Sequence, residues 1–413
     1  MAAVPHAISV VKRLTEAGHI AYFAGGWVRD FLMKHPSDDI DIATSASVEE
    51  IQKIFPKTIP VGVAFGIVIV VEEGDHFEVA TFRKEQGYLD GRRPTKIEPA
   101  TPQEDAQRRD FTINGMFWNP LKNELHDFVE GQKDIAQGIL RAIGDPHERF
   151  LEDRLRMMRA VRYSTRFNFP IEPATLSAIV SHAPSLLPAV AMERIWQEFK
   201  KMSSFAHFDK GLITLHTLNL LPTIFPQLKE VAIEEVQRRL APLAFFPKKA
   251  PTIAELLELF PDHDLEQLLD LCDYLKLSRS EREIVQFLYH AKQMLNMPHD
   301  WLAALEKIEW AQFYANPYAT VCLEIIAAHF SLEKRQAFLQ EHSERQRSLV
   351  AVIQRIRTQT PIVRADHLMK EGVSPGKKMG ELLKEAERIS VNEGIDDREK
   401  IIDLLKKSSL WNT

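Results

Sequence analysis

Asp39-Ile40-Asp41-Ile42 alternates carboxylate with isoleucine. Successive side chains of an extended strand point to opposite faces, so this spacing predicts both aspartates on one face and both isoleucines in a core. Two carboxylates converging on an open face suit Mg2+, a hard cation that prefers oxygen ligands. Two such ions about 3.5–4 Å apart can activate an attacking 3′-hydroxyl and stabilise a leaving pyrophosphate. Taken alone, a D-x-D is more simply an amphipathic edge strand that exposes two acids, because so short a motif recurs by chance.

A second set stands just upstream, in Gly25-Gly26-Trp27-Val28-Arg29-Asp30. Glycines at a strand-to-helix turn let phosphate approach bare backbone N–H groups at a helix start. Arg29, one turn further in, adds a charge-assisted contact. A glycine pair is also the ordinary composition of a tight turn. Gly26 precedes Asp39 by thirteen residues, room for one short helix between a phosphate cradle and a metal-binding strand.

The elements that must position these residues are legible around them. Residues 6–18 carry an amphipathic helix pattern, 20–26 a short strand, 27–33 a helix, 37–44 the aspartate strand and 48–55 another short helix. Residues 61–82 read as a hairpin joined by Glu-Glu-Gly-Asp. KEQGYLDGRRPTK, residues 84–96, reads as a loop containing glycine and arginine. From about residue 103 helix patterns dominate, apart from strand-like pieces near ELHDFV and RAIG.

Together these runs place a resemblance. GGWVRDFLMKHPSDDIDIAT resembles the head of the class II tRNA nucleotidyltransferase/poly(A) polymerase family, within the polymerase β-like superfamily. The likeness continues in order through VGVAFGIVIV, FEVATFRKEQGYLDGRRP, EDAQRRDFTINGMF, LEDRLRMMRAVRYSTRFNF and AMERIWQEFKKM, covering residues 20–202. The resemblance implies an α+β fold: a nucleotidyltransferase head with a small mixed sheet and helices, then an all-helical neck, body and tail. It implies Mg2+ held by Asp39 and Asp41, and contacts from Gly26, Arg29 and Arg109 to the nucleotide's phosphates and sugar. Without the family, Arg108-Arg109-Asp110 would read as an ion pair on a helix surface. Glu78, an acid in FEVATF, is left out of the metal set.

A third constellation is Glu152-Asp153…Arg156…Arg159…Arg162, expected within one apolar helix containing FLEDRLRMMRAVRY. Residues three apart are neighbours on a helix, so Asp153 beside Arg156 offers an acceptor next to a donor. Cytosine and adenine both present an amino donor beside a ring-nitrogen acceptor, and guanine and uracil present the reverse. An Asp–Arg pair therefore reads C and A, and a mismatched buried polar group costs about 1–3 kcal/mol. Arg159 and Arg162 continue the stripe toward a triphosphate. In the family, the aspartate and first arginine matching Asp153 and Arg156 act as a protein template. Such spacing is otherwise an ordinary salt-bridged face.

The resemblance further implies tRNA, CTP and ATP as partners, with no template nucleic acid. Poly(A) polymerases of the family usually carry a basic stretch where this chain has Gly62-Val63-Ala64-Phe65-Gly66, which looks like the CCA-adding type. Segment 84–99 looks full length, favouring complete CCA addition over CC addition; Gly87 and Gly91 would let it reshape the site. Poly(A) or partial CC or A addition is the alternative activity; a non-catalytic RNA-binding protein keeping the scaffold is a further alternative, against which the intact Asp39, Asp41, Asp153 and Arg156 argue. The turn from Gly372 to Gly380, with Lys377 and Lys378, resembles the family's C-terminal phosphate-holding turn and is equally a plain helix start.

Composition bounds the rest. The chain has 413 residues, 45% hydrophobic and 27% charged, with 52 basic against 58 acidic side chains and a net charge of −6. That balance argues against a sequence-blind polyanion binder, although clustered basic groups still permit RNA. Cys272 and Cys322 are too few for a disulfide framework. No apolar run approaches a membrane span of about 20 residues, and no signal peptide is expected, so a cytoplasmic protein without a membrane partner is anticipated. Expected segments are a catalytic head over 1–137, a neck over 138–202, a body over 203–330 and a tRNA-binding tail over 331–413.

Overall fold

The opening apolar stripe folds as helix α1 (Val4–Glu16), which buries Ala7, Val10, Val11 and Leu14. The computed structural model describes residues 3–35, 37–61, 63–88 and 94–412. Contacts within the chain divide it into two units, Met1–Arg238 and Arg239–Thr413.

In the first unit α1 is followed by β1 (Ala21–Ala24), α2 (Gly26–Leu32), β2 (Asp41–Thr44), α3 (Val48–Ile54), β3 (Thr58–Ile59), β4 (Ile67–Glu72) and β5 (Asp75–Thr81). Next come β6 (Arg83–Tyr88), β7 (Pro94–Pro99), α4 (Pro102–Gln107), β8 (Phe117–Asn119), β9 (Glu124–His126) and α5 (Gly131–Gln137). Seven strands form one sheet in the order β3-β4-β5-β2-β1-β8-β9. β2 and β5 run parallel and the other neighbours antiparallel. Val10, Leu14, Phe23, Ile40, Ile42, Val68 and Val79 share the buried core beneath this sheet. The β4–β5 turn places Glu73 and Gly74 at φ 51° and 90°, the paired positive values that a tight two-residue hairpin requires.

Two expectations change here. The aspartate strand begins at Asp41 rather than residue 37, because its partner β1 ends opposite, at Ala24, where Gly25 turns into α2. Asp39 therefore lies on the segment leading into the strand, although Ile40 and Ile42 are both buried as the alternation requires. Residues 84–96 are not simply a loop: β6 and β7 pair as an antiparallel ribbon, with Lys84 facing Glu98. The ribbon lacks the apolar alternation that marks a half-buried strand, so its pairing was not visible in the pattern. Gly91 and Gly62 lie outside the described residues.

Helices then follow: α6 (Pro146–Glu152), α7 (Leu155–Phe167), α8 (Pro173–His182), α9 (Leu186–Ala189), α10 (Met192–Ser203) and α11 (Phe208–Thr217). The single helix expected across FLEDRLRMMRAVRY is thus two. It breaks at Asp153, which is extended at φ −142° and ψ 104°. The Asp153 carboxylate accepts the Leu155 amide at 3.1 Å, a local bond that competes with helix continuation. α7 buries Leu155, Met158 and Val161 and packs on α10 and α11.

The second unit is helical among the described residues, from Thr252–Leu257 to Ser409–Asn412. Its last part is built on Leu368, Leu382, Ala386, Ile401 and Leu405. Gly376 precedes helix Lys377–Glu393, and the Lys378 ammonium donates to the Trp411 carbonyl at 3.0 Å.

Candidate active site

A cavity of about 670 Å³ opens in the first unit, and it brings together every residue singled out above for catalysis or nucleotide binding: Gly26, Arg29, Asp39, Asp41, Arg109, Asp153, Arg156, Arg159 and Arg162. They arrive from the β1–α2 turn, the entry to β2, the segment after α4, and the α6–α7 break with its following helix. Parallel pairing sets Asp41 in register with Glu78 of β5, which also borders the cavity.

This acidic edge is electrostatically uncomfortable. Burial pushes Asp41 up to about 7, and the charges of Glu78 and Asp39 add to the shift against the opposing pull of Arg109. A divalent cation would relieve that crowding. Among the described residues, no group of three or more His, Cys, Asp and Glu side chains closes around a metal. An open carboxylate set fits Mg2+, which dehydrates reluctantly and completes its shell with water and substrate phosphates. Asp39, Asp41 and Glu78 are thus the carboxylates at this edge of the cavity that could hold a divalent cation.

The glycine turn is shaped for close approach. Gly25 has φ 64°, and a Cβ there would stand 3.0 Å from the Arg109 guanidinium. Arg109 itself is clamped to Asp105 at 3.0 and 3.1 Å and lies 4.8 Å from the Phe117 ring centre. Burial pushes Asp105 up, but Arg109 and Arg108 outweigh it and hold the carboxyl low. Arg29 is buried; it donates to Asp30 at 2.9 Å and to the Asn114 side-chain oxygen at 2.5 Å.

On α7, two N–H groups of Arg159 meet Asp110 at 2.8 and 2.5 Å, and Arg162 meets Glu198 of α10 at 2.5 Å. Arg166, unmarked in the sequence, reaches Asp30 at 3.0 Å. The pair Asp153 and Arg156 is present but is not one ion pair across a helix. Arg194 of α10 grips Asp153 at 2.9 and 3.3 Å, whereas Arg156 bonds Glu152 at 2.6 Å and the Arg108 carbonyl at 3.0 Å. The break at Asp153 explains the difference, because residues flanking a helix start do not keep three-residue helical spacing.

Sequence reasoning weighed Glu78 and left it out, and it passed over Asp110, Asn114, Tyr163, Arg166, Arg194 and Glu198. Arg166 carried a local signal, as it extends the series Arg156, Arg159, Arg162 by one helical turn. Asp110 lay inside a quoted motif. Asn114, Tyr163, Arg194 and Glu198 also lay inside quoted runs, but nothing in their spacing set them apart from their neighbours.

Sheet, acidic edge and arginine wall together define a nucleotide-handling head of the nucleotidyltransferase class. Residues 21–141 match the poly A polymerase head domain, and residues 168–231 match a family described as a probable RNA and SrmB-binding site of polymerase A. The CCA-adding enzyme of Ligilactobacillus salivarius is 34% identical over 403 residues, spanning 97% of this chain and 96% of that protein. The CCA-adding enzyme of Anoxybacillus flavithermus is 44% identical over 230 residues, 55% of this chain and 56% of the relative. The crystal structure of the Bacillus stearothermophilus CCA-adding enzyme in complex with CTP aligns with a TM-score of 0.79 at 27% identity, covering 98% of this chain and 96% of that one. The chain belongs to the class II tRNA nucleotidyltransferase/poly(A) polymerase family. Nucleotidyl transfer in this family is metal-dependent. No helix of the described residues is long and apolar enough to cross a membrane.

Proposed function

We propose that this protein adds C, C and A to the 3′ end of tRNA, taking nucleotides from CTP and ATP without a nucleic-acid template. The observation that carries the reading is that one cavity joins the paired aspartates to the Asp153–Arg156 edge, chemistry to base choice. Asp39 and Asp41 would hold Mg2+, which when bound supplies Lewis-acid activation of the 3′-hydroxyl and charge neutralisation at the leaving pyrophosphate. Gly26, Arg29 and Arg109 lie along the same wall and receive the triphosphate and sugar. Arg159 and Arg162 add charge-assisted donors further along α7. Asp153 presents an acceptor and Arg156 a donor, each fixed by its own partner, so that cytosine and adenine are matched and guanine and uracil are not.

In this reading residues 1–137 are the catalytic head, 138–202 the neck that reads the base, 203–330 the body and 331–413 a tail that holds tRNA, and the protein works in the cytoplasm. The intact 84–99 segment favours complete CCA addition. The test incubates the protein with magnesium, α-labelled CTP or ATP and tRNA ending at its discriminator base. Stepwise addition of two cytidines and one adenosine is expected. A long adenosine ladder, CC alone, or no incorporation would overturn the reading.

A further inference from the structure

The cationic wall gathers Arg29, Arg159, Arg162 and Arg166 around two stacked rings, Tyr163 and Phe167, whose centres are 6.2 Å apart and 9° from parallel. The guanidinium carbons of Arg29, Arg159 and Arg162 lie 5.2, 5.4 and 4.2 Å from the Tyr163 ring centre. Those of Arg29 and Arg166 both lie 4.8 Å from the Phe167 centre. Three carboxylates pair with these four cations among the described residues: Asp30 with Arg29 and Arg166, Asp110 with Arg159, and Glu198 with Arg162.

Like charges gathered in a partly desolvated space repel one another strongly. A further carboxylate would relieve the repulsion, but it would also occupy the N–H donors that a triphosphate needs. An aromatic face attracts a cation through its quadrupole and leaves the in-plane N–H groups available.

We propose that Tyr163 is a positioning residue for the nucleotide triphosphate, its ring holding Arg29, Arg159 and Arg162 together with donors to spare, while Phe167 extends the plate to Arg166. This rests on the nucleotidyltransferase reading. Tyr163 is 7% exposed, sits one turn beyond Arg159 on α7, and accepts a bond from it at 3.1 Å. Burial pushes its hydroxyl up, yet the charges of Arg159, Arg162 and Arg29 outweigh that and hold it below the usual phenol range.

The test compares Tyr163→Leu, Tyr163→Phe and Phe167→Leu in steady-state CTP and ATP addition, with inorganic tripolyphosphate as a base-free competitor. Tyr163→Leu should raise KM for CTP and ATP by the same factor, about 10-fold, with kcat changed less. It should weaken tripolyphosphate inhibition equally and leave discrimination against UTP and GTP intact. Tyr163→Phe, which keeps the face and drops the hydroxyl, should recover most of the loss. Phe167→Leu, at a half-buried site, should raise KM about 3-fold and keeps the test alive if Tyr163→Leu unfolds. Equal loss in Tyr163→Phe and Tyr163→Leu, or a lowered Tm with unchanged KM, would overturn the proposal. If the parent protein incorporates neither nucleotide, the functional reading fails instead, so the two failures are distinguishable.

Discussion

Asp41 at the acidic edge and Asp110 in the arginine wall border the same cavity in opposite surroundings. Asp41 is half-buried beside the like charges of Glu78 and Asp39, and partial burial with those charges pushes it up to about 7. Asp110 is more deeply buried, but Arg159, the Asn114 amide and Arg156 outweigh desolvation and hold it well below the usual carboxylate range. Glu255, in the helix Thr252–Leu257 of the second unit, shows burial acting alone: it is pushed up to about 8, and its Oε2 has no hydrogen-bond partner among the described residues. Depth alone therefore does not decide whether an acid ionises; the partner does. A carboxylate paired within the fold is satisfied by its partner, while one crowded by other acids keeps a charge that a cation would relieve.

The sharpest way to break this contrast is to remove each carboxylate and ask what is lost. Asp41→Ala or Asp39→Ala should lower kcat by at least about 10³-fold, since metal stabilisation of transition-state charge is worth several kcal/mol. Affinity for tRNA, measured by filter binding, should stay within about 3-fold, because RNA binding does not need these groups. Substantial turnover at saturating magnesium would remove them from the metal site.

Asp110→Ala should act on the fold instead. It strands the Arg159 guanidinium, and breaking a buried pair from one side costs about 3–5 kcal/mol of stability. The sign with pH follows from the depressed value. Asp110 contributes its full stability above its unfolded pKa of about 3.9, and that contribution is lost as pH falls toward the folded value. Urea melts between pH 3 and 7 should therefore show a shallower acid slope in the variant than in the parent; identical slopes would count against the Asp110–Arg159 anchor.

Arg156→Ala probes the base-reading edge. The expected outcome is a fall in kcat/KM for CTP and ATP together with weaker rejection of UTP and GTP, by about 10- to 150-fold for a clash of about 1–3 kcal/mol. Incorporation of all four nucleotides onto tRNA ending in CC measures it. Unchanged selectivity would reduce Arg156 to a brace between Glu152 and Arg108.

The smallest effect belongs to Glu255→Gln. Its raised folded value means the folded protein retains a proton that the unfolded chain releases, so parent stability should decline as pH rises from about 4.5 to about 8. The variant should flatten that decline in thermal melts without altering nucleotide addition. A parent whose stability is already level across this window would place Glu255 in water.

Short-range regularities were legible from composition order alone. Alternation buried Ile40 and Ile42, the Gly25-Gly26 turn opened α2, and the arginine series from Arg156 to Arg162 brought its members to one cavity. These rest on strand and helix periods, which depend only on neighbouring residues. What each charged group would bind was decided by tertiary structure. Asp110 and Arg159 are 49 residues apart, Asp153 and Arg194 are 41, and Asp30 and Arg166 are 136. Glu78 met Asp41 only through a parallel register between neighbouring strands that are not consecutive in sequence, and the ribbon formed without an apolar pattern to announce it. A one-dimensional spacing sets which face a side chain takes, whereas the dielectric and the charge opposite it come from elements that only the folded chain brings together.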